Sequence, residues 1–294
     1  MKVAVYGLFD LDKSKEHIEE LFGYLNKFSF EVIVEKTFLS ALKSFTDITE
    51  DYSRFIDFND LDNSFDAMIT IGGDGTILKA VTFVRHLDIP IIGINTGRLG
   101  FLATVQKTQI KETIEALHKN NYQIKERELL SVKTNTDSYD FKELNFALNE
   151  VAINRKDSTS MIVINTFIDD EFLNAYWADG LIVATPTGST GYSLSCGGPV
   201  ITPSAKSLVV TPIAPHNLNV RPLVIPINSK IKLQISGRSN QFLVSLDSRI
   251  ITVEKHTEIY IETADFKIKM IHLNNQTFLK TLREKMLWGR DTRN

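Results

Sequence analysis

The hydrophobic pattern of the chain changes near Tyr122, and no other feature of the sequence constrains the fold as strongly. Before that point, short apolar runs alternate with stretches whose apolar residues recur at helical spacing, as in Ile18, Leu21, Phe22 and Leu25. Strands that alternate with helices predict a parallel sheet covered by helices. After that point, short apolar runs follow one another, which favours an antiparallel sandwich or barrel-like domain.

The same pattern places the individual elements. In the first part, strands are predicted at residues 2–7, 31–34, 66–71 and 91–95, and further helices at 77–86 and 110–117. In the second part, one helix is predicted at 187–194, and strands are predicted at 130–134, 149–154, 161–167, 181–185, 207–212, 230–235, 242–246, 258–261 and 267–271. A final helix is predicted to carry one apolar face made of Phe278, Leu279, Leu282 and Met286.

The sequence therefore predicts two domains. Residues 1–122 are expected to form an α/β N-terminal domain with a parallel sheet that binds a nucleotide. Residues 123–274 are expected to form a β-rich, sandwich-like C-terminal domain. The final helix, within residues 275–294, has no evident place in an all-β domain, so we expect it to pack back onto the first domain.

Charge and cysteine content bound the environment and the partners. The 294 residues include 33 Lys and Arg against 36 Asp and Glu, and the net charge of −3 argues against a nucleic-acid or anionic-membrane partner. The single cysteine, Cys196, cannot form an internal disulfide and favours a reducing compartment. No apolar run approaches the roughly 18 residues of a membrane span. We therefore expect a cytoplasmic protein without a membrane partner.

A glycine-rich segment at residues 72–76 follows a predicted strand and precedes a predicted helix. Ligands of open α/β sheets bind outside the carboxyl ends of the strands, where this segment lies. Gly72, Gly73 and Gly75 carry no side chains, so backbone N–H groups can face an anion, and Thr76 begins the helix that follows. The segment lacks the lysine of a Walker A loop and the third glycine of a dinucleotide fingerprint.

The unusual feature of this segment is the carboxylate of Asp74 among the glycines. A carboxylate that faced a triphosphate would be repelled unless it contacted Mg²⁺ or accepted a hydrogen bond or proton from an attacking hydroxyl. The alternative is a Gly-Gly turn in which Asp74 only caps the helix. We expect the catalytic interpretation to hold. A second loop, at residues 95–102, offers Arg98 for a phosphate and Phe101 for stacking on a base, although a solvated arginine and a core phenylalanine are the alternatives.

A second glycine cluster, at residues 177–198, reads as an acidic turn, a strand and a hydroxyl-rich turn into a helix. Its neutral donors and acceptors suit an adenine edge or a carboxamide and a sugar, whereas helix capping explains only one hydroxyl. The hydroxyl side chains are Thr187, Ser189, Thr190, Tyr192, Ser193 and Ser195. Asn149 and Glu150, at the start of a predicted strand, could hold a ribose diol or an adenine edge, although such a pair is usually only polar surface.

Together these segments resemble the NAD kinase family. The matching segments are residues 72–76, 95–102, 149–150, 179–198 and 212–218. The first of them is shared with diacylglycerol, sphingosine and related kinases, whereas the long segment at 179–198 is far more specific to NAD kinases.

The resemblance implies an active site between an α/β domain and a β-rich domain. Asp74 would activate the 2′-hydroxyl of the adenosine ribose of NAD, and Asn149 and Glu150 would contact the NAD adenosine. Asp179 and Thr187 would contact the nicotinamide half. Further residues that would line nucleotide pockets are Thr190, Gly191, Tyr192 and Ser195.

The resemblance also implies ATP as the phosphoryl donor, a divalent metal ion (Mg²⁺ or Mn²⁺), and a homodimer or homotetramer in which one subunit completes the site of another. The metal ligands stay unassigned, with Asp74 as a candidate. Family members often carry Asp-Gly after the late strand, whereas this chain has Asp247-Ser248-Arg249, and this departure leaves the role of the turn open.

Two alternatives remain open from the residues alone. A lipid kinase of the diacylglycerol type would share the loop at 72–76, but it should present a basic or apolar membrane-facing surface, and the sequence shows neither a basic amphipathic helix nor a net positive charge. A non-catalytic regulator would bind NAD or NADP and leave ATP intact. Asp74 argues against it, because a carboxylate is a poor choice for pure phosphate binding.

Overall fold

The computed structural model describes residues 1–8, 11–136, 143–156, 160–274 and 276–287. The chain divides into two compact units, Met1–Glu126 with Ile268–Asn294, and Arg127–Lys267. In the part of the chain that is described, no helix is both long and apolar enough to cross a membrane.

Unit 1 is an α/β structure built on one mostly parallel sheet. Its strands are β1 (Lys2–Gly7), β2 (Glu31–Glu35), β3 (Ser53–Phe55), β4 (Ala67–Ile71), β5 (Ile91–Asn95), β6 (Val105–Gln106), β7 (Gln123–Arg127) and β20 (Ile268–His272). Its helices are α1 (Leu11–Lys27), α2 (Lys36–Phe45), α3 (Asp74–Val84), α4 (Ile110–His118) and α6 (Phe278–Met286). The strand order is β3-β2-β1-β4-β5-β20-β7, and β6 pairs with β5.

The apolar runs of this sheet explain its position in the interior. Every residue of β4 and of β5 is buried, as expected for parallel strands that helices cover on both faces. The predicted helical stripe of α1 is buried in the same core as apolar residues of α2, α4 and the central strands. The predicted α/β class of the N-terminal part is confirmed.

The structure differs from the sequence-based boundaries at the C-terminal end. The strand expected at 267–271 in the β-rich domain is β20, which pairs in parallel with β5 through Met270 and Ile91. An apolar run reads as a strand but does not specify which sheet it joins. In α6, Leu282 is buried as expected, but Leu279 is 59% exposed and Met286 is 37% exposed, so the four-residue apolar face was wrong for these two.

Unit 2 is built from antiparallel strands. They are β8 (Leu130–Thr134), β9 (Phe146–Ala147), β10 (Glu150–Arg155), β11 (Ile162–Ile168), β12 (Glu171–Ala178), β13 (Gly180–Ala184), β14 (Ser207–Ile213), β15 (Leu223–Pro226), β16 (Ile231–Ser236), β17 (Gln241–Leu246), β18 (Arg249–Glu254) and β19 (Glu258–Thr263). One sheet has the order β15-β14-β13-β10-β17-β18 and the other the order β12-β11-β16-β19-β8-β9.

The two sheets of unit 2 share one hydrophobic core, to which both contribute alternate residues. Val151 and Ile153 of β10 lie in it with Ile162 and Ile164 of β11, which confirms the predicted sandwich. The helix predicted at 187–194 is shorter than expected. A 3₁₀ turn (Gly188–Thr190) and one helical turn, α5 (Tyr192–Ser195), are separated by Gly191, whose backbone is not helical (φ −95°, ψ −132°).

Candidate active site

The glycine-rich loop joins β4 to α3 at the point where the sheet reverses its strand order. β1 and β4 are neighbours, and the chain continues outward to β2 on one side and to β5 on the other. Ligands of doubly wound sheets bind in the crevice at this switch point. Gly73 and Gly75 are exposed at the first turn of α3, so their backbone can approach an anion there.

Gly72 shapes this loop. Its φ of 143° lies in a region that favours glycine, and a Cβ there would overlap the Thr76 hydroxyl and the Leu8 carbonyl oxygen. The Thr76 hydroxyl is buried and donates to the Leu8 carbonyl at 3.4 Å. Thr76 therefore ties the loop to the end of β1, and its hydroxyl does not face solvent.

The Asp74 carboxylate connects the glycine loop to the second predicted loop. Oδ2 accepts the backbone N–H of Phe101 at 2.9 Å, and Oδ1 accepts those of Leu102 at 3.0 Å and Ala103 at 2.9 Å. Gly100 makes room for this contact, because a Cβ there would overlap Oδ1. Asp74 does not cap the helix, because Gly73 occupies the N-cap position and no side chain caps it. The Asp74 carboxylate instead holds a loop some 27 residues further along the chain, and its side chain remains 29% exposed.

A lysine from the C-terminal helix lies beside this carboxylate. The Lys285 ammonium is 3.9 Å from Asp74 Oδ2 and 4.9 Å from the centroid of the Phe101 ring. The ring of Phe101 also approaches Phe278 of α6, with centroids 6.2 Å apart, so this side chain packs against the helix in unit 1. Lys285 brings a positive charge next to the glycine loop.

The remainder of the second loop is held by its own side chains. The Asn95 amide donates to the Arg98 carbonyl at 2.7 Å and accepts the Gly97 N–H at 2.7 Å. The Arg98 side chain is exposed, where it can meet a phosphate or water. Within the described residues, no group of three or more His, Cys, Asp or Glu side chains is arranged to hold a metal ion.

In unit 2, the Asp247-Ser248-Arg249 turn, whose role the sequence does not assign, supports the Asn149-Glu150 segment. The Asp247 carboxylate accepts the backbone N–H groups of Leu148 at 2.9 Å, Asn149 at 2.8 Å and Glu150 at 3.3 Å. The Arg249 guanidinium lies 3.8 Å from the same carboxylate. Asp247 has a positive φ of 52°, and burial raises the pKa of its carboxyl group. The Asp-Ser-Arg turn therefore holds the backbone of residues 148–150, although it lacks the glycine that is usual in the family.

Glu150 combines burial with an unused acceptor. Burial, with the nearby Asp247 carboxylate as the second cause, raises the pKa of Glu150 to about 7, and the Tyr192 N–H donates to its carboxylate. Glu150 Oε2 and Asn149 Oδ1 are buried and have no hydrogen-bond partner. Gly191 lies against both side chains, and a Cβ there would stand 2.9 Å from Glu150 Oε2. Two unpaired buried acceptors on adjacent residues suit a ligand that brings donors.

The hydroxyl-rich segment is only partly available to a ligand. Ser189 and Ser193 are fully buried: Ser189 donates to the Pro186 carbonyl, and Ser193 shares a hydrogen bond with Thr211. Their hydroxyls serve the fold, so the expectation that the whole set faces a ligand was wrong for these two.

The other predicted residues of this segment are more accessible, with one exception. Tyr192 is 40% exposed and Ser195 is exposed, whereas Thr187 is buried. The Thr190 hydroxyl donates to the Thr187 carbonyl at 3.1 Å and is partly buried. Asp179 is partly exposed and forms an ion pair with Arg155 at 3.2 Å.

Two residues of the site could not be identified from the sequence. Lys285 is one of two lysines of the polar helix α6, and only the path of β20 brings it beside Asp74. The turn at Asp247 departs from the family pattern in having Ser248 instead of glycine, but the contacts of Asp247 lie some 97 to 99 residues upstream. The one local signal in the sequence was an Asp at the end of a strand, because Asp tolerates the positive φ of a tight turn.

Comparison with known proteins gives one consistent result. Residues 9–122 match the ATP-NAD kinase N-terminal domain, and residues 148–273 match the ATP-NAD kinase C-terminal domain. The chain is 54% identical to the NAD kinase of Christiangramia forsetii and 52% identical to that of Flavobacterium johnsoniae, in each case over 100% of both chains.

Two solved structures share the fold. Yeast NADH kinase complexed with NADH superposes with a TM-score of 0.85 at 24% identity, covering 100% of this chain and 89% of that chain. An NAD kinase from Archaeoglobus fulgidus in complex with ATP superposes with a TM-score of 0.74 at 26% identity, covering 98% and 99%.

Proposed function

Because the chain belongs to the NAD kinase family, we propose that it transfers the γ-phosphate of ATP to the 2′-hydroxyl of the adenosine ribose of NAD, giving NADP. The observation that carries the proposal is the Asp74 carboxylate, which lies within a glycine-rich turn at the switch point of the sheet. That turn suits a phosphate, and the carboxylate suits a hydroxyl.

Asp74 retains one acceptor position for the substrate. A carboxylate has about four lone-pair positions. Two on Oδ1 are used by Leu102 and Ala103, and one on Oδ2 is used by Phe101. The remaining position on Oδ2 can accept the hydrogen of the ribose hydroxyl. Since phosphoryl transfer has a loose transition state, orienting that hydroxyl matters more than removing its proton early.

The donor phosphates are assigned to the backbone of the glycine loop. The exposed Gly73 and Gly75 and the first turn of α3 offer N–H groups and a partial positive charge. The Lys285 ammonium, 3.9 Å from Asp74 Oδ2, can balance the charge that moves onto the transferred phosphate. Arg98, exposed on the neighbouring loop, is a second candidate for phosphate contact.

The residues present fit a Mg²⁺ or Mn²⁺ ion that is held mostly by the nucleotide. Such an ion needs one or two carboxylates besides phosphate oxygens and water. Asp74 is the carboxylate within the glycine loop, and since its one free acceptor position is assigned to the ribose hydroxyl, its contact with the ion would run through a water molecule. When bound, the metal neutralises the charge on the phosphates.

The NAD adenosine is assigned to Asn149 and Glu150. Their unpaired atoms, Asn149 Oδ1 and Glu150 Oε2, can accept from the adenine amino group or from ribose hydroxyls. The nicotinamide half is assigned to Asp179 and Thr187, following the family. The remaining pocket residues in the proposal are Thr190, Gly191, Tyr192 and Ser195.

We further propose a homodimer or homotetramer, with the cytoplasm as its compartment. Large apolar side chains of unit 2 are exposed on this chain, and burying them against a second copy would remove apolar area from water. They include Leu218 at 83%, Ile250 at 64% and Trp177 at 57% exposure. The single cysteine favours a reducing compartment. Light scattering of the purified protein measures the oligomer directly, and a monomeric mass would contradict this part of the proposal.

The proposal is tested by incubating the purified protein with ATP, Mg²⁺ and NAD. Chromatography should show NADP and ADP forming in equal amounts, and ³¹P NMR should place the new phosphate on the 2′ position. A phosphate at another hydroxyl, or ATP hydrolysis without NADP, would contradict the proposal. A parallel reaction with diacylglycerol vesicles in place of NAD should give no lipid phosphate.

A further inference from the structure

Unit 1 contains a cavity of about 480 Å³ beside the glycine loop, at the carboxyl ends of β1 and β2. Pockets that hold small ligands have volumes of roughly 300–1,000 Å³, so this cavity has a suitable size. It is also lined by the helices that follow β2 and β4. The residues that line it include Tyr6, Glu35, Ala41, Ile56, Lys79 and Phe83.

One wall of the cavity leads directly to the glycine loop. Lys79 and Phe83 lie one and two turns after Gly75 on the same face of α3, since residues four apart are neighbours on a helix. Eight helical residues span roughly 12 Å. That length is comparable to the distance from the base to the γ-phosphate in an extended nucleoside triphosphate. Leu8 also lines the cavity, and its carbonyl oxygen accepts the Thr76 hydroxyl of the loop.

The cavity offers apolar surface for a flat base. Phe83 and Ala41 line it, and so does Ile56, which is 54% exposed. Covering an exposed isoleucine with a base removes apolar area from water, which stabilises the complex. The Lys79 ammonium, on the wall between base and loop, can meet the phosphates.

The polar groups of the cavity can pair with the edge of adenine. Glu35 is 7% exposed, and its Oε2 accepts the Phe38 N–H at 2.8 Å, which leaves Oε1 as an acceptor. Burial and the Glu35 charge raise the pKa of Tyr6 to about 12, so its hydroxyl is a donor at neutral pH. Adenine presents an amino donor beside a ring-nitrogen acceptor. The amino group can donate to Glu35 Oε1, and the ring nitrogen can accept from the Tyr6 hydroxyl.

We propose that this cavity binds the adenine base of ATP, with the triphosphate extending along α3 to the glycine loop. The proposal rests on the proposed function and extends it to a base-binding pocket formed by β1, β2, α2 and α3.

The first test maps the base directly on the full-length wild-type protein. Irradiation with 8-azido-ATP should label peptides that contain Tyr6, Ala41, Ile56 or Phe83, and excess ATP should suppress this labelling. ATP-protected label confined to other peptides, or the absence of any ATP-protected label, overturns the proposal.

The second test fills the cavity. Ala41→Trp places an indole in it, and Ser44→Trp, exposed on the same helix and outside the lining, is the matched control. We expect Ala41→Trp to raise KM for ATP by roughly tenfold or more, with KM for NAD within about twofold of the wild-type value. An unchanged KM for ATP, or equal increases in both KM values, overturns the proposal.

The outcomes separate this proposal from the proposed function. A wild-type protein that forms no NADP but is labelled in the cavity by 8-azido-ATP contradicts the kinase reaction and leaves the adenine site standing. A wild-type protein that forms NADP but is labelled elsewhere contradicts only the adenine site.

Discussion

Replacing Glu150 with glutamine should remove part of the pH dependence of stability. The pKa of Glu150 rises from 4.5 to about 7 on folding, because the carboxyl group is buried and lies near Asp247. Between these pH values the native protein holds a proton that the unfolded chain has released, so the free energy of unfolding falls as pH rises. The pKa difference is about 2.5, and since one pKa unit corresponds to about 1.36 kcal/mol, the free energy of unfolding changes by roughly 3 kcal/mol in total.

The measurement is urea unfolding of the full-length chain at constant ionic strength from pH 5 to pH 8. The wild-type protein should lose stability over this interval, and Glu150→Gln should lose roughly 2.5 kcal/mol less, because part of the total is already lost below pH 5. Part of the loss should remain, since burial also raises the pKa of Asp247. Glu171→Gln, at an exposed strand position, should behave as the wild type. A Glu150→Gln protein with the full wild-type loss would refute the reasoning.

Three further predictions address the contacts around the two candidate sites. Asp247→Ala leaves three backbone N–H groups without their acceptor, and at about 1–3 kcal/mol for each it should lower the free energy of unfolding by at least about 3 kcal/mol in urea titrations; a loss below about 1 kcal/mol contradicts this. Gly100→Ala places a methyl group on Asp74 Oδ1 and should lower kcat by at least about tenfold. Its control is Gly23→Ala, where a methyl group meets open space, and equal kcat values for the two variants would contradict the prediction. Lys285→Gln should raise KM for ATP several-fold in steady-state assays, and an unchanged KM would remove this lysine from the site.

The strands of the central sheets could be predicted because their sequences are nearly continuous or alternating apolar runs. Several other elements were not predicted, and for two of them, α2 and β12, the reason is local. α2 begins at Lys36, directly after β2, and Glu35 caps it in place of the usual Ser, Thr, Asp or Asn. β12 follows a turn at Asp169 and Asp170, both with positive φ, without the glycine that usually marks such a hairpin.

In the candidate site, too, some parts could be predicted from the sequence and others could not. The glycine loop and Asp74 could be found because strand, glycines and helix are contiguous in the sequence. The loop that Asp74 holds, through Phe101 to Ala103, is set by hydrogen bonds between distant segments. Such contacts leave no periodic signal. The same holds for Lys285, which reaches Asp74 only because the chain returns to the first sheet after completing unit 2.

The most direct test of the central claim is the rate of NADP formation by Asp74→Asn. Asparagine keeps the oxygen that accepts from Leu102 and Ala103 and gives up only the acceptor of the Phe101 N–H, so the variant should fold and should still bind ATP. It loses the anionic acceptor for the ribose hydroxyl, and kcat should fall by about 100-fold to 10,000-fold. A folded variant that binds ATP and retains a kcat within about tenfold of the wild-type value would show that Asp74 only holds the loop.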